Sequence, residues 1–208
     1  LEELDLVGPW EMIGMWSKYA KGPQKYLMIA ETEEPVTCAN GMIITPHATF
    51  NNAPQLDYLL IPGGLGTRTQ VKNEPLTDFV AKQAQNCKVM LSVCTGAFIL
   101  HAAGLLSGKR ATTHWLSLND LKKLGDVEVV EERIVIDDNV WTSSGVSAGI
   151  DLALEFIKHE AGEEIAGKVQ SFAEYYPHGR LYGTFHQDPN APDYLSLKKV
   201  QKSALCSF

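Results

Sequence analysis

The sequence has no long apolar run, no excess of positive charge and no paired cysteines, and each absence removes a class of protein. Its strongest apolar stretches, Tyr58 to Ile61 and Val89 to Val93, fall far short of the about 20 residues that a membrane helix requires. No signal-peptide pattern is read, and no membrane partner is expected. Eighteen Lys and Arg against 25 Asp and Glu leave a formal net charge of −7. That sign is opposite to the basic footprint of a nucleic-acid binder, so no nucleic-acid partner is expected either. Cysteines at positions 38, 87, 94 and 206 show no CxxC spacing. They fit neither a zinc ribbon nor a dense disulfide framework and point to a reducing, cytoplasmic setting.

What remains is ordinary for a globular domain: 208 residues, 45% hydrophobic and 21% charged. A chain of that length buries roughly 70% of its extended surface, enough for one core, and a single domain over 1–208 is expected. Short β-branched runs alternate with helical patterns, the signature of βα units around a parallel sheet. The spacing predicts a first helix over Gly8 to Tyr19, with Pro9 in a tolerated first-turn position. Strands are predicted over Lys25 to Ala30, Met42 to Thr45, Leu56 to Ile61 and Val89 to Val93, the last being the most convincing central strand. Further strands are read at Ala111 to Thr113, Val127 to Val130, Ile134 to Ile136 and Val140 to Thr142, with Asp137-Asp138-Asn139 as a hairpin-like turn. Helices are expected at Glu74 to Gln85, Thr95 to Ala103, Trp115 to Leu124 and Ala148 to Glu160. The segment from His178 onward is punctuated by Gly179, Gly183, Pro189 and Pro192, and an irregular tail is expected over 178–208.

The sharpest chemical feature is Ser92-Val93-Cys94-Thr95-Gly96-Ala97, where a strand ends on a nucleophilic residue and a helix starts at once. This is the logic of a nucleophile elbow, with Cys in place of Ser. A thiol at a helix N-terminus feels the positive end of the backbone dipole, which favours thiolate. The alternative is that Cys94 is a buried small apolar residue, as most free cysteines are. Gly63-Gly64, ending the preceding strand, would reach the same carboxyl edge, where open α/β sheets bind ligands. Such a loop can aim N–H groups at a developing anion, or it can be a plain turn.

A proton donor must come from elsewhere, since Thr95 rather than His follows Cys94. Glu2, Glu3, Asp5 and Glu11 are candidates. Asp5 lies between Leu4 and Leu6, where a carboxyl would be partly desolvated and its pKa raised. From pattern alone, a first-turn acid at a helix start is the stronger reading. His114 follows a strand and is read as either a core residue or a group pointing into the cleft. Ser143 and Gly145, in the Thr142 to Ile150 junction, are core and turn or else face a substrate. The other histidines show no i, i+4 pairing, and no metal or other cofactor is expected.

Taken in order, Glu2 to Glu11, Leu60-Ile-Pro-Gly-Gly64, Ser92 to Ala97, Ala103 to Trp115 and Thr142 to Asp151 resemble the ThiJ/PfpI superfamily of the class I glutamine amidotransferase-like fold. The CTG form of the elbow and the Ala-Thr-Thr-His-Trp115 string are similar to the isocyanide (isonitrile) hydratase branch and to the amidase-like sensor domains of AraC-type regulators. Those regulators continue into a helix-turn-helix region, for which the residues after the matched part leave no room. The resemblance implies a doubly wound, flavodoxin-like α/β fold with a six- or seven-stranded, mostly parallel sheet sandwiched by helices, and a homodimer. It implies a first strand just upstream of Glu2, a position this sequence does not reach. By position it implies Cys94 as the nucleophile, Asp5 as the acid that hydrogen-bonds its sulfur, Gly64 and Thr95 N–H groups at an anion pocket, and His114 and Ser143 at its periphery.

The function expected from this is cysteine-dependent hydration of a small electrophile, foremost of an isocyanide to an N-substituted formamide. The alternatives are a cysteine-based stress or redox sensor and a glyoxalase- or amidase-like hydrolase.

Overall fold

The computed structural model describes residues 1–176, 182, 189 and 191–195. Helix α1 (Glu3–Ala20) starts five residues earlier than the periodicity indicates, so Pro9 lies inside it. Proline has no N–H, and the Asp5 carbonyl four residues back therefore lacks its helical donor. The helix closes at Lys21, whose φ of 57° is left-handed and whose N–H returns to the Trp16 carbonyl.

Four very short strands follow. They are β1 (Ile29–Ala30), β2 (Val36–Thr37), β3 (Ile43–Ile44) and β4 (Ala48–Thr49). β1 pairs in parallel with β4, and β2 forms an antiparallel pair with β3. The Lys25 to Ala30 and Met42 to Thr45 expectations thus shrink to two residues each.

The central sheet has the order β5-β6-β10-β9, built from Tyr58–Ile61, Val89–Val93, Val140–Ser143 and Ile134–Asp137. β5, β6 and β10 run parallel, while β9 and β10 form the antiparallel hairpin around Asp138-Asn139, with Asp138 at φ 51°. Every residue of β6 is buried. Its Val89, Leu91 and Val93 meet Trp141, Leu152 and Phe156, whereas Met90 joins Phe79, Val80 and Leu100. That alternation is what a strand covered on both faces requires. A Leu91→Ala change would cost about 2–5 kcal/mol by leaving a cavity at the centre of the fold.

Helices α2 (Thr67–Gln70), α3 (Glu74–Ala84), α4 (Gly96–Ala102) and α5 (Leu118–Lys122) lie along the chain between the strands. α3 is capped by Asn73, which accepts from the Leu76 N–H at 3.2 Å. Helices α6 (Ala148–Ala161) and α7 (Glu163–Phe172) complete the array, and Met12, Ile157 and Val169 join α1, α6 and α7 in one cluster. The doubly wound α/β architecture is therefore the one expected.

Among the described residues, the continuous sheet has four strands rather than six or seven. β7 (Arg110–Ala111) pairs in parallel with β8 (Glu128–Val129) and meets the central sheet through side chains. The Arg110 N–H donates to Asp137 Oδ2 at 2.7 Å, and the Thr112 N–H to Thr142 Oγ1 at 2.9 Å, so carboxylate and hydroxyl oxygens replace carbonyls. The Trp115 to Leu124 segment is a 3₁₀ turn (Trp115–Ser117) leading into α5, not one helix. Of the 178–208 tail, only residues 182, 189 and 191–195 are described, including a 3₁₀ turn at Asp193–Leu195; the rest of that expectation, and Cys206, lie outside the described residues. No described helix is long and apolar enough to cross a membrane.

Candidate active site

The parallel register aligns Ile61 with Ser92 and Ser143 with Val93, so β5, β6 and β10 deliver their following residues to one edge. Cys94 emerges there with φ 56°, a left-handed conformation that a side-chain-bearing residue adopts only when its surroundings hold it. Four neighbours do so. The Cys94 N–H is shared between the carbonyls of Ser143 at 3.1 Å and Ser144 at 3.2 Å. The Cys94 carbonyl accepts from Thr113 Oγ1 at 2.8 Å. Gly96 permits the tight turn, since a Cβ there would stand 2.2 Å from the Ile61 carbonyl oxygen.

Asp5 is fully buried in the first turn of α1. Its Oδ2 accepts from the Gly63 N–H at 3.0 Å. Its Oδ1 is buried without a hydrogen-bond partner, and the Cys94 thiol interacts with the carboxyl group. Of the other candidate acids, Glu2 stays at this edge, its N–H donating to the Gly63 carbonyl at 3.0 Å and its charge reaching Asp5 and His114; Glu3 binds Asn40, with Oε2 accepting from Asn40 Nδ2 at 2.8 Å, and Glu11 is exposed.

Burial and nearby charge set the protonation of the pair. Desolvation dominates at Asp5 and carries its pKa up to about 7, against the opposing pull of the Gly63 N–H and the Cys94 thiol. Desolvation followed by the negative charge of Asp5 pushes the Cys94 thiol up to about 12, outweighing the Thr95 hydrogen bonds that favour thiolate. Burial and the Asp5 carboxylate thus work against the thiolate that the start of the seven-residue α4 favours. The resting pair shares protons, with Asp5 the group that titrates near neutrality.

The remaining predicted residues surround this pair in unequal ways. Gly64, at φ 114°, already gives its N–H to Thr95 Oγ1 at 2.9 Å, and Thr95 Oγ1 donates back to the Gly64 carbonyl at 3.0 Å. The Thr95 backbone favours the ionised form of the sulfur. His114 is half-buried, and burial lowers its pKa, so the ring is neutral near pH 7. Its Nδ1 accepts from the Leu116 N–H at 3.3 Å, which leaves the ring proton on Nε2. Ser143 is fully buried and spends its hydroxyl on the Ser92 carbonyl at 3.3 Å; its contact with the nucleophile is through the backbone.

Gly145 is the closest constraint on the sulfur. A Cβ built there would lie 2.8 Å from Cys94 Sγ and 2.7 Å from His114 Cδ2. Ser144 and Thr113 were not legible as site residues, because they act on Cys94 through a carbonyl and a hydroxyl that carry no spacing signature. Cys38 and Cys87 are buried as well, and burial pushes the Cys87 thiol up to about 11. Among the described residues, no three His, Cys, Asp or Glu side chains gather as metal ligands.

Comparison with known proteins adds four relationships. Residues 1–159 match the model of the DJ-1/PfpI family. An isonitrile hydratase of Pseudomonas putida is 38% identical over 178 residues, covering 85% of this chain and 75% of that protein. The HTH-type transcriptional regulator GbdR of Pseudomonas aeruginosa is 34% identical over 141 residues, which is 67% of this chain but 38% of the regulator. A crystal structure of a ThiJ/PfpI family protein from Pseudomonas syringae superposes with a TM-score of 0.82 at 32% identity, covering 99% of this chain and 82% of that one.

Proposed function

Because the chain belongs to the DJ-1/PfpI family, we propose that it hydrates an isocyanide to an N-substituted formamide, with Cys94 as nucleophile and Asp5 as proton carrier. The observation that carries the reading is the buried pairing at one sheet edge of Cys94, held at φ 56°, with Asp5, whose Oδ2 accepts from the Gly63 N–H at 3.0 Å. The 38% identity to an isonitrile hydratase supports it.

In the attacking state Asp5 is the carboxylate and Cys94 the thiol. Asp5 takes the thiol proton as sulfur bonds the terminal isocyanide carbon, and the same proton passes to that carbon. The product is a thioimidate, R–N=CH–S–Cys94. Water then adds to its carbon while the nitrogen gains a proton. The tetrahedral adduct R–NH–CH(OH)–S–Cys94 expels the sulfur, which recovers its proton from the hydroxyl through Asp5, and R–NH–CHO departs. Every step uses the chain's own groups and water, so the reaction needs no cofactor.

The redox-sensor alternative requires a thiolate, since oxidation by peroxide proceeds through it, and burial beside Asp5 disfavours that form at Cys94. The three free cysteines among the described residues suit a reducing cytoplasm, and the family resemblance suggests a homodimer, which sedimentation tests. The direct test is incubation with an aryl isocyanide while formamide is followed. Cys94→Ala should abolish turnover; formamide production at the wild-type rate in that variant would sink the mechanism.

A further inference from the structure

The wall over the sulfur is the 144–147 segment, which joins the end of β10 to the start of α6. Its Ser144 carbonyl accepts from the Cys94 N–H at 3.2 Å, and a Cβ on Gly145 would stand 2.8 Å from Cys94 Sγ. A small displacement of this segment therefore reaches the nucleophile directly. One residue outside the site holds both of its ends. The β9–β10 register, with Ile134 opposite Ser143, sets Arg133 across from Ser144, and the Arg133 carbonyl accepts from the Ser144 N–H at 2.9 Å. At the other end, Arg133 Nη2 donates to Ser147 Oγ at 3.3 Å.

The same guanidinium grips the helix that follows. Arg133 Nε and Nη2 reach Asp151 Oδ2, in the first turn of α6, at 2.6 and 2.5 Å. Asp151 Oδ1 accepts from the Tyr175 hydroxyl at 3.0 Å, which braces the carboxylate from beyond α7. Ser147 stands at the cap of α6, yet its hydroxyl bonds none of the helix N–H groups and is taken by Arg133. Arg133 and Asp151 are both half-buried, and a charged pair fixed by several hydrogen bonds holds its geometry better than a loose surface pair. A planar guanidinium serves Asp151 and Ser147 together, whereas a lysine ammonium is a single point on a flexible stem and does not span the two.

We infer that Arg133 is a positioning residue of the site: its carbonyl and its guanidinium, braced by Asp151 and Tyr175, fix both ends of the 144–147 segment and so set the Gly145 wall and the Ser144 carbonyl against Cys94. The inference rests on the reading of Cys94 as the nucleophile toward isocyanides. Without the guanidinium, the backbone bond to Ser144 remains and the Ser147 end is released. The wall then moves off the sulfur. Cys94 loses its fixed direction of attack and at the same time becomes easier for a small reagent to reach.

The test takes two readouts in the wild type, Arg133→Lys and Tyr175→Phe: steady-state hydration of an aryl isocyanide, and the rate at which iodoacetamide labels each cysteine, read by peptide mass. In Arg133→Lys, kcat should fall about 10²-fold with KM little changed, the scale of a reacting group displaced by an ångström. Labelling of Cys94 should rise about tenfold, the factor by which losing one charge-assisted hydrogen bond opens a segment. The buried Cys38 and Cys87 should keep their wild-type rates. Tyr175→Phe keeps the ion pair and should move both readouts the same way by a smaller factor; if Arg133→Lys does not fold, this variant decides. Turnover or Cys94 labelling unchanged from the wild type would overturn the role of Arg133. So would labelling that rises equally at Cys38, Cys87 and Cys94, the mark of a pair that supports the whole fold. A wild type that leaves the isocyanide unhydrated overturns the hydration alone, and Cys94 labelling then decides the role of Arg133 by itself.

Discussion

Replacing Asp5 with Asn should make the protein more resistant to unfolding at alkaline pH while removing its activity. Asp5 is fully buried, and its pKa rises from the ordinary aspartate value of 3.8 to about 7 in the folded state. The unfolded chain ionises first, so folding must hold a proton that the unfolded carboxyl has already released. Below about pH 3.8 both states are protonated and the group contributes nothing to the pH dependence; as pH rises toward 7, stability falls, and above 7 the penalty is complete. At about 1.36 kcal/mol for each pH unit between the unfolded and folded pKa, that penalty is about 4 kcal/mol at pH 8 and about 1.5 kcal/mol at pH 5.

Asn at position 5 keeps an oxygen for the Gly63 N–H and carries no titration. Its amide donors are imperfectly matched beside a thiol, which takes back about 1–3 kcal/mol. That loss is independent of pH, so the informative quantity is the change in the difference between variant and wild type. Urea unfolding of both proteins from pH 5 to 8 should show the variant gaining about 2.5 kcal/mol relative to the wild type over that range. Groups that titrate equally in both proteins cancel. A difference that stays constant across the range would refute the account of Asp5 as a carboxyl ionised at the expense of the fold. The same variant should lose about 10²–10⁴-fold in turnover, the range that a positioned proton carrier supplies.

Further outcomes follow from the same geometry. Gly145→Ala forces a Cβ to within 2.8 Å of Cys94 Sγ; it should lower kcat/KM at least about 10²-fold and stability by about 1–3 kcal/mol, measured by formamide assay and thermal melting. The pH profile of kcat/KM should rise to a plateau above about pH 7, because attack needs Asp5 ionised and the thiol still protonated; a profile that falls through the same range would contradict Asp5 as the base. At pH 7.5, low peroxide should oxidise Cys94 more slowly than a free thiol, since a pKa near 12 leaves almost no thiolate. Intact-mass analysis reads this, and rapid selective sulfinic acid formation at Cys94 would favour the sensor function instead.

The parts of the molecule legible in the sequence are those where one local rule acts alone. β6 is read within its bounds because five successive apolar or small residues between turn signals have only a buried strand to form. The Cys94 elbow is read because strand, nucleophile and helix adjoin in sequence. Where two rules compete, the pattern misleads. Pro9 marks a helix start by preference, yet Leu4 and Leu6 continue the helix backward to Glu3, and tertiary packing on α6 outweighs the one hydrogen bond that proline removes. α7 carries Ile165, Ala166 and Val169 on one face, a readable stripe, but Gly162 separates it from α6 by a single residue and hides it as a continuation. The two-residue strands at β1 to β4 are too short for alternation to show.

The protonation state of the site was illegible for a deeper reason. A helix dipole is a local effect that sequence reveals, and it argues for thiolate. Desolvation by the whole core and the charge of a carboxyl at the far end of the sequence are not local, and they decide the outcome in the opposite direction. The reactive group near neutral pH is therefore the acid, not the thiol. Asp5 reaches Cys94 only because α1 begins early enough to place its first turn against Gly63. A helix starting at Gly8 would leave Asp5 in a solvated loop with an ordinary pKa, and the pair would lose both its proton and its chemistry.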